Sequence, residues 1–129
     1  MRNAPPAKVI VDLDCRHLAI PKGRKRSDYV VVTEEDGAGW VSPIELKSGA
    51  FRGREVAEQL QGGADTADEW LPDACSFNFV PILAHGRSVP KPQLRTLRAA
   101  KVRLRDRVSQ AVLIRCGEPL RKALDHVSG

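Results

Sequence analysis

Cysteine is scarce and does not occur in pairs. The chain has only Cys15, Cys75 and Cys116, with no Cys-x-x-Cys pair and no Cys/His cluster. That excludes a zinc finger or ribbon and a disulfide-built scaffold, and leaves each cysteine expected as a small buried residue. Aromatic residues make up only 5% of the chain, too few for a surface that stacks successive bases of a single strand. Trp40 and Trp70 are accordingly read as packing residues. No apolar run approaches the ~20 residues needed to cross a bilayer, so no membrane association is expected. Residues 1–20 lack the basic start, long apolar core and small-residue cleavage site of a secretory signal, and the cytoplasm is the expected compartment. His17, His85 and His126 have no partner at ligand spacing and are expected to be structural or on the surface.

What is present suits one small globular domain spanning residues 1–129. Its hydrophobic fraction is 42%, enough for one apolar core without staples. The net charge of +5 is unevenly spread. Residues 1–86 hold 10 Lys/Arg against 13 Asp/Glu, whereas residues 87–129 hold 11 against 3. A basic C-terminal third suits a polyanion, because each phosphate it neutralises releases counterions. It also suits a merely solvated basic face.

Hydrophobic periodicity places the elements. Residues 8–14 (K-V-I-V-D-L-D) alternate and predict a strand, as do residues 28–34, whose β-branched centre suits a strand covered on both faces. Asp36-Gly37 signals a hairpin back into a partner strand over residues 40–47. Pro43 within it argues for an edge position or an irregularity. Residues 52–70 show helical spacing, with Val56, Leu60, Ala64, Ala67 and Leu71 on one face. Gly62-Gly63 inside it costs up to ~2 kcal/mol in helix propensity, which close packing on a sheet would justify. Residues 76–84 predict a fourth strand, and Leu94, Leu97 and Ala100 a short helix. Residues 101–106 and 110–116 are expected to form a terminal hairpin, and residues 118–127 a closing helix. The expected fold class is α/β: a single domain with a mixed central β-sheet flanked by helices.

The chemistry lies in the hairpin. Strand residues alternate faces, so Glu45 and Lys47 point one way while Ile44 and Leu46 point the other, toward the core. A turn at Asp36-Gly37 sets the start of one strand beside the end of the other, which brings Asp28 close to Glu45. Two neighbouring carboxylates repel unless a cation lies between them, and hard oxygen ligands suit Mg²⁺ or Mn²⁺. An adjacent Lys47 would orient an attacking water or stabilise charge on a phosphate. The plain alternative is a surface ion pair between Glu45 and Lys47.

The segment S-D-Y-V-V-V, followed by W-V-S-P-I-E-L-K-S-G, resembles the PD-(D/E)XK nuclease superfamily, in which an Asp begins one core strand and Glu-x-Lys lies on the next. The resemblance covers roughly residues 28–85 and implies a restriction-endonuclease-like core. It further implies that Asp28 and Glu45 are metal ligands, that the carbonyl of Leu46 is a further ligand, and that Lys47 is the catalytic lysine. Some branches of that family place a glutamine on the following helix, which makes Gln59 and Gln61 candidates for lining the site. Many members carry a further Glu on an N-terminal helix. Here residues 1–14 hold no Glu, and Asp12 and Asp14 are the acids available in its place.

The expectation is a Mg²⁺- or Mn²⁺-dependent nuclease that hydrolyses phosphodiester bonds, in DNA rather than RNA. Lys22, Arg24, Lys25 and Arg26 lie just before Asp28 and are candidates for phosphate contacts. Arg95, Arg98, Lys101, Arg103, Arg105 and Arg107 form a second basic region. Arg103, Arg105 and Arg107 alternate, so a strand there would set them on one face as a phosphate-binding stripe or a wet sheet face. A two-fold dimer would suit cutting both strands of a duplex. The alternative function is an inactive nuclease-like domain that binds nucleic acid or a protein partner.

Overall fold

The computed structural model describes residues 7–12, 27–35, 38–73 and 76–117. Three antiparallel strands open the fold: β1 (Ala7–Asp12), β2 (Tyr29–Glu35) and β3 (Ala38–Lys47). The β2–β3 ladder closes at Glu35 and Ala38, around positions 36 and 37, where the sequence predicts the turn. Helix α1 (Gly53–Trp70) follows, then β4 (Asn78–Phe79) and β5 (Ile82–His85), helix α2 (Lys91–Ala99), and β6 (Val102–Leu104), β7 (Arg107–Ser109) and β8 (Val112–Arg115). The main sheet runs β1-β2-β3-β5-β8, with β4 also on β3. Its first half is antiparallel, while β3, β5 and β8 are mutually parallel. This is the expected mixed α/β sheet with helices against it.

Helix α1 forms because its apolar positions recur at helical spacing, and those residues are the buried ones. Val56, Leu60 and Ala64 are fully buried and Ala67 nearly so, against Val30, Val41 and Leu83 of the sheet. The glycines serve the packing the sequence suggested. A Cβ on Gly63 would collide with Ser27 Oγ and stand 2.9 Å from Pro43 Cβ. Helix α2 packs on α1 through Leu97, and Gln93 Oε1 accepts the N–H of Gly53. A second apolar cluster, including Val31, Trp40, Ile44 and Ile82, occupies the opposite face of the sheet.

Several expectations are refined or change. The fourth strand divides at Val80-Pro81 into β4 and β5. Pro43 marks an irregularity and not an edge: it sits in a central strand, and the missing N–H is tolerated because Ser42 and Pro43 fall between the β4 and β5 pairings. The expected terminal hairpin does not form as read. β6 turns at Arg105-Asp106 onto β7, while β8 joins the main sheet beside β5. Cys116 is exposed rather than buried. Cys15, Cys75, His17, His126 and the closing helix at 118–127 lie outside the described residues. Among the described residues, no helix is long and apolar enough to cross a membrane.

Candidate active site at the open end of the β2–β3 hairpin

Tyr29 is the first residue of β2 and ends the ladder on this side, in register with Ile44. Asp28 therefore stands one step beyond it, across from Glu45, and side chains complete the connection. The Asp28 N–H donates to Glu45 Oε1 at 3.1 Å, and Asp28 Oδ2 accepts the N–H of Leu46 at 2.9 Å. Lys47 Nζ lies 3.5 Å from Glu45 Oε2. The three residues singled out by the motif thus meet at one end of one hairpin.

Strand alternation puts Glu45 on the face that α1 covers, and its side chain is only 2% exposed. The carboxyl is pushed up to about 7. Burial is the main cause, followed by the hydrogen bond to the Asp28 side chain and the Asp28 charge. The Lys47 ammonium and the Asp28 N–H pull the other way without cancelling the rise. Leu46, expected in the core, is instead 46% exposed at the strand's end. Its backbone is the part that serves the site. A strand residue aims its N–H and C=O at the same neighbour, so the Leu46 carbonyl projects toward the Asp28 side, beyond the last rung of β2.

These donors fit a divalent cation. Two carboxylates and one backbone carbonyl at this hairpin end are hard oxygens, the ligand type Mg²⁺ takes, by one or two carboxylates with waters completing the shell. The pushed-up Glu45 marks a negative charge that Lys47 alone leaves under-compensated. Among the described residues, no three His, Cys, Asp or Glu side chains gather as a metal cage. Asp12 ends β1 in register with Tyr29, next to Asp28, whereas Asp14 lies outside the described residues.

The other candidates separate. Gln59 lies one helical turn from Gly63 on the same face of α1, toward the end of β3 that carries Glu45. Its Oε1 is buried with no hydrogen-bond partner among the described residues. Gln61 does not line the site. It clasps the backbone of Arg103 at both N–H and C=O (2.8 Å each) and reaches Asp65, so its amide fixes β6 on α1. Arg105 is not a phosphate contact either. Its guanidinium binds Asp68 Oδ1 (2.7 Å) and the carbonyls of Leu71 (2.8 Å) and Pro72 (2.7 Å), closing the C-terminus of α1. Arg105 also occupies the β6–β7 turn at φ 56°, so the stripe of alternating arginines does not exist. Arg103 is exposed, and Arg107 lies over the Phe77 ring at 5.7 Å. Lys22, Arg24, Lys25 and Arg26 lie outside the described residues.

His85, expected to be structural or on the surface, bonds its own turn and also borders the site. His85 stands in register with Lys47 on the adjacent parallel strand, which puts it on the Glu45 face. Its Nδ1 is 2.8 Å from the carbonyl of Arg87. A carbonyl only accepts, so Nδ1 carries the proton and Nε2 is left bare in the neutral ring. Nothing local in the sequence links positions 47 and 85; only the parallel register does.

Comparison with family models, curated proteins and solved structures finds no match for this chain.

Proposed function

We propose that this chain is a metal-dependent nuclease that hydrolyses phosphodiester bonds, with DNA as the favoured substrate. The reading is carried by the convergence of Asp28, Glu45 and Lys47 at one hairpin end, through contacts of 3.1, 2.9 and 3.5 Å. The strand order also agrees with the resemblance: an antiparallel β1-β2-β3 meander, a helix, then a strand parallel to β3.

Asp28 and Glu45, with the Leu46 carbonyl, are the groups that would hold Mg²⁺ or Mn²⁺. A cation bound there would supply Lewis-acid polarisation of a phosphoryl oxygen and ease deprotonation of water. Lys47 is one-quarter exposed, free enough at its tip to meet a phosphate oxygen while its base is held by Glu45. Its ammonium orients the attacking water and offsets negative charge that builds on the phosphorus substituents. Glu45 must be ionised to act as a ligand, and its carboxyl is pushed up to about 7 in the metal-free protein, so cation binding should strengthen as pH rises through that value.

The test is plasmid cleavage with Mg²⁺ or Mn²⁺, with and without EDTA. The parent protein is expected to nick or linearise the plasmid only without chelator. Lys47→Ala should lose cleavage while remaining folded and retaining most DNA binding. Undiminished metal-dependent cleavage by that variant refutes the assignment. Binding without any cleavage by the parent favours the alternative of an inactive nuclease-like domain.

A further inference from the structure

We propose that the solvent face of α2 is the track along which a nucleic-acid backbone lies beside this site. The inference rests on the nuclease reading for its ligand but not for its geometry.

Lys91, Arg95 and Arg98 are all exposed. Their spacing of four and then three residues puts them on one stripe of the helix, while Leu97 on the other side is buried against α1. Seven residues of rise spread the stripe over roughly 10 Å. Phosphates recur every ~3.4 Å of axis along each strand of a duplex, so about three successive phosphates face three cations.

The stripe does not serve the fold. α2 contains no acidic residue, and Lys91 stands at its first position, where the helix dipole is already positive. Lys91 and Arg95, and Arg95 and Arg98, repel one another at helical-neighbour spacing. Arg98 alone suits its place, in the last turn. Among the described residues none of the three has a carboxylate partner. The helix is held instead by Leu97 and by the Gln93–Gly53 bond. A polyanion relieves the repulsion these residues impose on one another.

Position and surrounding charge agree. The chain leaves β3 at Lys47 and reaches the start of α1 at Gly53, and it leaves β5 at His85 and reaches the start of α2 at Lys91. Both helices therefore begin from the end of the sheet that carries the site. The outer face of α1 exposes Glu55, Glu58, Asp65 and Asp68 and is net acidic, although Glu58 pairs with Arg54 and Asp68 with Arg105. A polyanion is repelled from α1 and drawn over α2.

The experiment measures binding of a fluorescent 20-base-pair DNA duplex to the full chain in EDTA, between 50 and 200 mM KCl. Binding is thereby separated from cleavage. The slope of log affinity against log salt should become shallower by about 2.7 in the triple variant Lys91→Gln/Arg95→Gln/Arg98→Gln, because each lost phosphate contact removes ~0.9. Over this range the parent then loses about 40-fold more affinity than the variant. The charge-preserving variant Lys91→Arg/Arg95→Lys/Arg98→Lys should keep the parental slope. The triple Gln variant should melt close to the parent, because the repulsion removed offsets the favourable dipole interaction lost with Arg98. Should it melt lower, Arg95→Gln alone, with an expected slope loss of about 0.9, carries the test.

An unchanged slope in the Gln variant overturns the proposal, as does a parent that binds no duplex. Salt-sensitive self-association that the Gln variant abolishes, with the DNA slope unaltered, also overturns it and assigns the stripe to the acidic α1 face of a second copy. If the slope result holds while the Lys47→Ala cleavage test fails, the track stands and the catalytic reading falls.

Discussion

Replacing Glu45 by Gln should stabilise the metal-free protein at neutral and alkaline pH. The carboxyl is pushed up to about 7 in the folded chain from its ordinary 4.5, so between those values the folded state holds a proton that the unfolded state has released. Stability is then lost as pH rises across that window, because the folded state binds more protons. Below about 4.5 both states are protonated and no penalty exists; above about 7 both are ionised and the penalty is complete. At ~1.4 kcal/mol per unit, a rise of this size costs about 3 kcal/mol, a large part of the 5–15 kcal/mol typical of a domain. Gln keeps an acceptor for the Asp28 N–H and loses only the 3.5 Å ion pair to a partly exposed Lys47, whose pull is already contained in the net shift. Urea unfolding in EDTA from pH 4.5 to 8.5 is the assay. Wild type should weaken across the window while Glu45→Gln stays comparatively flat, and the two should differ at pH 8 by a midpoint of about 1–2 M. A Glu45→Gln protein that is less stable than wild type at pH 8 would refute the reasoning. It would mean that the Lys47 pairing outweighs burial of the charge.

Arg105→Ala should destabilise the fold by about 2–3 kcal/mol in urea melts, since it strips charge-assisted bonds from the end of α1, and should leave the salt slope of DNA binding unchanged. Gly63→Ala should lower stability by about 1–3 kcal/mol despite the better helix propensity of Ala. The added methyl would displace Ser27 or Pro43, and because Ser27 precedes Asp28, cleavage should fall as well; a more stable and fully active variant would show that the helix–sheet contact is loose.

The parts of this fold that the sequence predicts correctly are those set by local chemistry. The β-branched run before Asp36-Gly37 and the alternation after it specify the hairpin and its register, and that register alone brings Asp28 to Glu45. The face of α1 and the close approach at Gly63 follow from spacing and from two glycines in an otherwise good helix. What eluded the sequence depends on pairings between distant segments. Nothing in V-L-I-R indicates that β8 lies beside β5 rather than folding back on β6. Parallel partners leave no turn signal, and the register that brings His85 to Lys47 spans 38 positions. Arg105 read as one of an alternating stripe of arginines for phosphate or solvent, because nothing near it in sequence announces the end of α1 that it binds. Leu46 looked like core because alternation assigns a face but not its cover, and the sheet runs out of cover at the strand's end.

The bond from the Leu46 amide to the Asp28 carboxylate has a consequence for how the site and the fold depend on each other. Past Tyr29, β2 contributes no further backbone rung, and a side chain acts as the final stitch. The same oxygen-bearing group is then both a fastener of the β-ribbon and a claw for a cation, so zippering of the ribbon's mouth and readiness for ligation are one equilibrium. A chain frayed at Asp28 is an unarmed chain, and whatever tightens the mouth arms it.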